Sequence, residues 1–562
     1  MKKIGHLLAG VAMVGIAAGT GAAFADDGDV VLRLMPRHTD AHVENFNPYN
    51  YGGPSGYVQD FAYEPLWIYN VFHPDQDFPA LATSYDISDD LMSVTYHLRE
   101  GVKWSDGEDF TADDVVFTFN YSKEHPDFPI GFDHYNTETD SGSITGIEKV
   151  DDHTVTFTLN KPDSLAHYNI GIVFPLPEHI WSSVDDPKNF ANVDNVATGP
   201  WTQITDFSRG SFQMCRNPYY RGNDENPIDC LMFPQLSGNE QVIAAITVGD
   251  LDWAGDGMTD PEITYTPKSE YNHYWLPPDG DTNLQLNTTK KPFSDLAFRQ
   301  AMSMAIDRPT ILEISTFGLT TETPYPVGTG KFFEAWFDDE ALAPYKYLME
   351  YNPEAAAAKL DEAGYTDQDG DGWRDNPDGS PIDFDMRVPS GWTDWVNTLQ
   401  TVSENLQDIG VNAKLRTMEE GAWFDGYPTG DYDVYIMWGE THATPWFIYK
   451  SMFNPGSMIP GQVREQAMHQ MRIPEIETLL EEIAATTDVS EQHAKMTEIH
   501  KLVAENLPVL SMFANPSWYQ YSTRRFTGWV TPENPYVRPM MHGGVHERVK
   551  HALSLKPIEG AQ

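Results

Sequence analysis

The sequence predicts an α/β protein of two or three domains, and three observations carry that expectation. Its 562 residues exceed what one ordinary hydrophobic core accommodates. Helix-like and strand-like segments alternate through the C-terminal half. Nearer the N-terminus, alternating strands flank a single capped helix.

In chain order, VVLRLMP reads as a strand, and the polar, aromatic, turn-rich HVENFNPYNYGGPSGYVQDFAYEPLWIYN reads as a loop. SVTYHLRE and TVTFTLN alternate apolar and polar residues as strands do, while FTADDVVFTFNYS between them is helical and opened by the cap Thr111. Residues 65–190 therefore read as a small α/β unit. SDLAFRQAMSMAIDRPTILEIS and NPEAAAAKLDEAG place apolar residues at three- and four-residue spacing, with helix starts at Ser294 and Asn352. Strand FDMRV, helix WVNTLQTVSENLQDIG and strands NAKLRT and DVYIMW follow, so crossover helices and a mostly parallel sheet are expected.

The opening MKKIGHLLAGVAMVGIAAGTGAAFADD has Lys2 and Lys3, a short Ala- and Gly-rich apolar run, and Ala23-Phe24-Ala25 before two aspartates. This is the pattern of a secretory signal peptide over residues 1–25, too short and small-residue-rich for a stable membrane anchor. With no cysteine near the cut, a soluble periplasmic protein of a Gram-negative type of cell is expected. Nothing downstream reads as a transmembrane helix.

Losing Lys2 and Lys3 with the leader takes the formal charge from −48 to −50, which excludes a phosphate-backbone partner such as nucleic acid. The aromatic load of 15 Trp, 27 Tyr and 28 Phe exceeds what cores need, so some rings are expected to face a ligand. Cys215 and Cys230 are the only cysteines, and an oxidising compartment makes one disulfide the default. The turn-rich CRNPYYRGNDENPIDC between them reads as a loop joining two short strands.

Specific strings then narrow the class. YHLREGVKWSDGEDFTADDVVFTFNY (96–121), TGPWTQITDFSRGSFQMCRNPYY (198–220), LQLNTTKKPFSDLAFRQAMSMAIDR (284–308) and AAAKLDEAGYTDQDGDGWRDNPDGSPIDF (356–384) occur in the order found in one family. The chain resembles the family 5 solute-binding proteins of ABC importers, which take oligopeptides, oligosaccharides or nickel chelates. The resemblance implies a two-lobed periplasmic binding protein fold (type II, cluster C), each lobe α/β, with an extra α/β domain on lobe one. Carried onto this chain, lobe one is residues 26–65, 190–278 and 515–562, the extra domain 66–189, and lobe two 279–514. Crossings fall at LPPDGDTN (276–283) and LSMFANPSW (510–518), where strand-like runs meet Pro, Gly and Asn. The lobes are expected to close about these hinges on a ligand and deliver it, as a monomer, to an inner-membrane ABC permease.

The ligand class turns on MWGETHATPWF (437–447). Peptide-binding relatives carry tryptophan, two residues, aspartate and a nearby proline, and that aspartate neutralises the peptide's amino terminus. The frame here is Trp438, Gly439, Glu440, Thr441 and Pro445, so a neutral Thr441 stands at the aspartate position. A buried ammonium without its counter-ion costs on the order of 3–5 kcal/mol, and Glu440, if on a strand, points to the opposite face. Trp67 and Tyr69 in EPLWIYN, Trp253 in GDLDWAGD, Trp392 and Trp395 in PSGWTDW, and Trp438 and Trp446 are the candidates for stacking on sugar rings, with core packing as the alternative for each. FNPYNYGGPSGY and YEPLWIYN also resemble the oligosaccharide (β-glucoside)-binding branch. An oligosaccharide is expected, with a peptide as the alternative.

An enzyme is not expected. No Gly-x-Ser-x-Gly elbow, His-Glu-x-x-His helix or phosphate-cradling Gly loop occurs, and chance carboxylate pairs among 84 acidic residues carry no weight. His542, His546 and His551 are close in sequence, but terminal histidines are usually solvated. No cofactor is required. DQDGDGWRDNPD places Asp367, Asp369, Asp371, Gly372, Trp373, Asp375 and Asp378 at positions 1, 3, 5, 6, 7, 9 and 12 of an EF-hand-like loop. It reads either as a structural Ca²⁺ site, with Trp373 offering its carbonyl, or as a solvated acidic turn.

Overall fold

A computed structural model describes residues 28–560 apart from 36, 51–54, 127, 129, 131–142 and 543–545. The leader at 1–25 lies outside the described residues.

Val31–Arg33 is the edge of a four-stranded sheet, pairing in parallel with Cys230–Pro234, which continues antiparallel to Ser211–Arg216 and then Trp201–Thr205. Cys215 and Cys230 face each other across the two central strands and are joined by the expected disulfide.

A second four-stranded sheet is antiparallel throughout, in the order Ala82–Ile87, Ser93–Leu98, Thr154–Leu159 and Ile144–Asp151. Val94, Tyr96 and Leu98 face inward on the period-two alternation of a one-sided strand. Helix Ala112–Glu124 lies against it and opens with a capping box. The Thr111 side chain accepts from the Asp113 amide, and the Asp114 carboxylate accepts from the Thr111 amide at 3.0 Å. This unit owns no separate core: Val94, Phe119 and Phe157 belong to the same continuous cluster as Leu32, Phe212 and Trp253.

The third large sheet runs Asn412–Met418, Asp383–Pro389, Val434–Trp438, Pro278–Leu286 and Val509–Pro516. The first three strands are parallel and the last two antiparallel to their neighbours, so the sheet is mixed rather than mostly parallel. The reason is where the last two come from. Pro278–Leu286 arrives from Asn272–Trp275, and Val509–Pro516 departs to Tyr519–Ser522, both members of a separate three-stranded sheet with Trp253–Ala254. One crossing strand runs out and the other back, so they pair with each other and no helical crossover sets their direction. The crossings are thus two bonded strands, bent by register shifts between Pro278 and Asp281 and between Thr282 and Asn283. A second core, built on Leu284, Phe384, Val434 and Leu510, fills this sheet's side of the crossing.

Helix Leu296–Ala305 starts one residue later than expected. Asp295, not Ser294, is the cap, accepting from the Ala297 amide at 2.9 Å. Asn352 caps Pro353–Glu362 as expected.

Candidate ligand-binding cleft

A cavity of about 600 Å³ lies between the first sheet and the third. One wall is Arg37, His38, Asp40 and His42 with Phe212 and Phe233; the other is Ser390, Gly391, Glu419 and Glu420. The positions follow from the topology. Arg37–His42 follow the parallel edge strand Val31–Arg33, Ser390 follows Asp383–Pro389, and Glu419 follows Asn412–Met418. Carboxyl ends of parallel strands are where open α/β sheets hold ligands.

The walls meet through charged groups. Buried His38 is hydrogen-bonded through Nε2 to Asp256 Oδ1, and its Nδ1 lies 3.8 Å from Glu420 Oε2 on the opposite wall. Arg37 Nε is 3.5 Å from Glu420 Oε1, and its guanidinium lies over the Phe424 ring at 5.3 Å. Asn239 Nδ2 donates to Asp394 Oδ1 at 3.2 Å, also from one wall to the other. Burial pushes the Asp394 carboxyl up to about 6, and the charge of Asp256 adds to the shift. With Asp40, Glu419 and Glu420 against Arg37, the cleft carries excess negative charge and disfavours an anionic ligand.

Behind Gly391 stands an aromatic cluster. Half-buried Trp392 has ring centroids 5.1, 5.3 and 6.0 Å from Trp395, Trp423 and Trp438. Trp395 is buried, whereas Trp438 is half-buried with a ring 6.2 Å from Phe424. Trp392 Nε1 is buried with no hydrogen-bond partner among the described residues, a donor that a ligand oxygen would satisfy.

Strand Val434–Trp438 ends at Trp438, so Glu440 and Thr441 lie in the loop beyond it and the strand-face argument for Glu440 does not apply. Gly439 packs against the crossing strand so closely that a Cβ on Gly280 would clash with Gly439 O. Thr441 Oγ1 donates to Asp279 Oδ1 on that strand. The same carboxylate accepts from Ser517 Oγ at 2.5 Å and lies 3.1 Å from Arg538 Nη1. Glu440 Oε2 is buried without a hydrogen-bond partner among the described residues, 3.6 Å from His442 Nε2.

Other sequence candidates sit elsewhere. Trp253 is fully buried, donating to Pro539 O at 3.2 Å with its ring 4.4 Å from His551: it is core, not cleft. Trp446 is likewise core, 4% exposed and donating to Leu480 O at 2.8 Å from helix Pro445–Met452. Both indoles bury their N–H on a backbone carbonyl, which leaves no polar edge for a sugar. Trp67 donates to Asp77 at 3.1 Å, and Tyr69 donates to His167 O at 2.6 Å. Neither lines the cavity, but the Tyr69 ring is 4.4 Å from Tyr168, which meets Phe447 of the far side at 5.5 Å. Lys161 to Glu481 at 2.6 Å and the Ser164 amide to Ala484 O at 2.7 Å extend this second seam.

In the acidic loop, carboxylate oxygens of Asp367, Asp369 and Asp375 lie within 4.8 Å of one another. Asp371 accepts from the Trp373 amide at 2.8 Å. Asp378 turns away, 2.7 Å from Lys291 and bonded to Ser380, contacts that hold its carboxyl well below the usual range. The three histidines form no metal-holding group among the described residues, and His551 is not solvated as expected: it is fully buried between Tyr519 and Tyr536 hydroxyls, and burial pushes it down to about 3.

Sequence reasoning missed the charged walls. GDLDWAGD ends in Asp256 and PSGWTDW contains Asp394, each near a tryptophan that carries the stronger sequence signal. The available signal was position: RHTD after VVLRLMP and EE after NAKLRTM are charges placed directly at strand ends.

The model of bacterial extracellular solute-binding proteins, family 5 Middle, matches residues 78–458. Di/tripeptide-binding protein 1 of Pseudomonas aeruginosa is 28% identical over 404 residues, covering 65% of this chain and 68% of its own. Among solved structures, the mannohexaose-bound periplasmic oligopeptide-binding protein of Thermotoga maritima superposes with a TM-score of 0.85 at 23% identity, covering 94% and 99% of the two chains. The oligopeptide-binding protein AppA of Bacillus subtilis with a nonapeptide superposes with a TM-score of 0.77 at 20% identity, covering 95% and 99%. These neighbours are two-lobed binding proteins, and no helix among the described residues is long and apolar enough to cross a membrane. The chain therefore belongs to the family 5 extracellular solute-binding proteins, non-enzymatic receptors that carry a small ligand to an ABC permease.

Proposed function

We propose that this receptor is a periplasmic monomer that captures a neutral oligosaccharide between its lobes and delivers it to an inner-membrane permease. The observation that carries the sugar reading is Thr441. Its hydroxyl is committed to Asp279, whose charge is already met by Arg538, so neither offers free negative charge to a peptide's amino terminus. The unpartnered Trp392 N–H and the rings around it suit a ligand with hydroxyl edges and C–H faces.

A peptide is the second reading, favoured by Glu440. Its buried Oε2 accepts no hydrogen bond among the described residues and could take one from an ammonium, and the Pseudomonas relative is a di/tripeptide-binding protein. Manno-, cello-, xylo- and chito-oligosaccharides and a short-peptide library, followed by tryptophan fluorescence and thermal shift, separate the two. Sugars are expected to bind intact, and Glu440→Gln is expected to leave their affinity within about threefold, a change of under 1 kcal/mol. Stabilisation by peptides alone, lost in Glu440→Gln, overturns the sugar reading.

For the acidic loop we propose Ca²⁺ held on Asp367, Asp369 and Asp375, pinning the chain between helix Pro353–Glu362 and strand Asp383–Pro389. Chelation of the purified protein is then expected to lower its melting temperature by a few degrees, with Ca²⁺ restoring it. An unchanged melting curve identifies the loop as a solvated turn.

A further inference from the structure

We propose that His38, Asp256, Glu420 and Asp394 form a proton-operated clasp between the lobes, so that closing the cleft takes up protons and the ligand is held less firmly as pH rises. His38 follows the first strand and Asp256 follows strand Trp253–Ala254, both in lobe one; Glu420 and Asp394 stand in lobe two, on helices Glu420–Gly426 and Thr393–Asp408. The imidazole is thus flanked by a bonded carboxylate of its own lobe and by Glu420 of the other at 3.8 Å. Asp394 presses on the lobe-one backbone, where a Cβ on Gly257 would meet its Cγ at 3.0 Å. The remaining charged neighbours are Arg37, 3.5 Å from Glu420, and His542, whose Nε2 is 3.6 Å from Asp256 Oδ1 and whose ring stands edge-on to His38 at 5.8 Å. Asp256 is 2% exposed, and its Oδ2 has no hydrogen-bond partner among the described residues.

Closing the lobes therefore brings lobe-two carboxylates toward a buried lobe-one carboxylate with one imidazole between them. A neutral His38 leaves like charges facing each other in a poorly solvated gap; a protonated one bridges them. Opening withdraws Glu420 and Asp394 with their lobe and leaves His38 with Asp256.

The signs agree. Burial alone pushes His38 down, but the charges of Asp256, Glu420 and Asp394 outweigh it and hold the imidazole above its ordinary value. Asp394 is pushed up to about 6, chiefly by burial. Both groups bind protons more readily in the closed form, so both favour closure at low pH. The His38 contribution is complete below the value it has in the open form, where Asp256 still partners it, and is lost as pH rises through the higher value it has beside Glu420 and Asp394. The Asp394 contribution is complete below about 3.9 and has gone once pH passes about 6, so of these two groups only His38 acts above pH 6.

Single-molecule energy transfer tests this on the full mature chain with its disulfide intact, using dyes on Glu270→Cys in lobe one and Glu404→Cys in lobe two. The closed fraction is expected to fall as pH is raised above about 6, the closing constant dropping by at most tenfold per pH unit for one proton. His38→Gln is expected to flatten that profile. Glu420→Gln, on the cavity rim, is expected to shrink the drop, and it carries the test if His38→Gln fails to fold. A pH-independent closed fraction in the unsubstituted receptor overturns the proposal, as does a profile that neither substitution changes.

Discussion

Arg548→Met is expected to destabilise lobe one by about 3–5 kcal/mol. Arg548, on helix Arg548–Ser554, is fully buried and grips Asp60, on helix Ser55–Ala62, with two bonds: Nε to Oδ2 at 2.8 Å and Nη2 to Oδ1 at 3.0 Å. Asp60 is itself 2% exposed, so removing the guanidinium leaves an uncompensated charge in the core. The guanidinium also covers the Phe61 ring at 5.2 Å and ties the C-terminal helix to the segment before it through Met541 O. Denaturant melts of Arg548→Met, Asp60→Asn and the double variant check the account. The double variant should recover much of the loss, because a buried pair replaced as a unit costs far less than one broken in half. A single variant as stable as the parent contradicts it.

Trp392→Ala is expected to weaken oligosaccharide binding by roughly a hundredfold, about 2–3 kcal/mol, the size of a central aromatic anchor. Part of that is the ring and part is the N–H. Trp392→Phe keeps one aromatic ring against Trp395 and Trp438 and deletes the donor with the smaller ring of the indole, so about a tenfold loss is expected from it. Titration calorimetry with the tightest-binding sugar of the screen measures both. Equal affinities of parent and Trp392→Ala would remove the aromatic cluster from the site. Truncating Trp392 or Trp438 is expected to cost some stability as well, since both rings pack on Trp395 and Trp423.

What was legible in the sequence was local. Thr111 declares a helix start because its hydroxyl has only to reach the next turn, and Ser93–Leu98 declares a strand because its period of two is written into consecutive residues. Cys215 and Cys230 needed only each other and a compartment. The mixed sheet was hidden because strand direction in Pro278–Leu286 depends on a neighbouring sheet that supplies the chain, not on the residues of the strand. Trp253 and Trp446 were misplaced for a related reason. A tryptophan at a strand end or loop has the same letter whether its N–H meets Pro539 O in the core or a ligand in the cleft. The clasp was the least legible part, since His38, Asp256, Asp394 and Glu420 come together only after both lobes have folded and closed. The position of charges at carboxyl ends of strands was the one trace they left.

Beside its place in the proposed site, Thr441 has a mechanical role. Through Asp279 it ties the loop that follows Trp438 to the strand that crosses between the lobes.

The central claim is that a sugar, not a peptide, occupies the cleft, and native mass spectrometry of the receptor purified from its own cells tests it most directly. The account predicts a one-to-one complex whose released ligand fragments in sugar-residue steps, and whose abundance collapses in Trp392→Ala. A retained ligand that fragments as a peptide, undiminished in that variant, would contradict it.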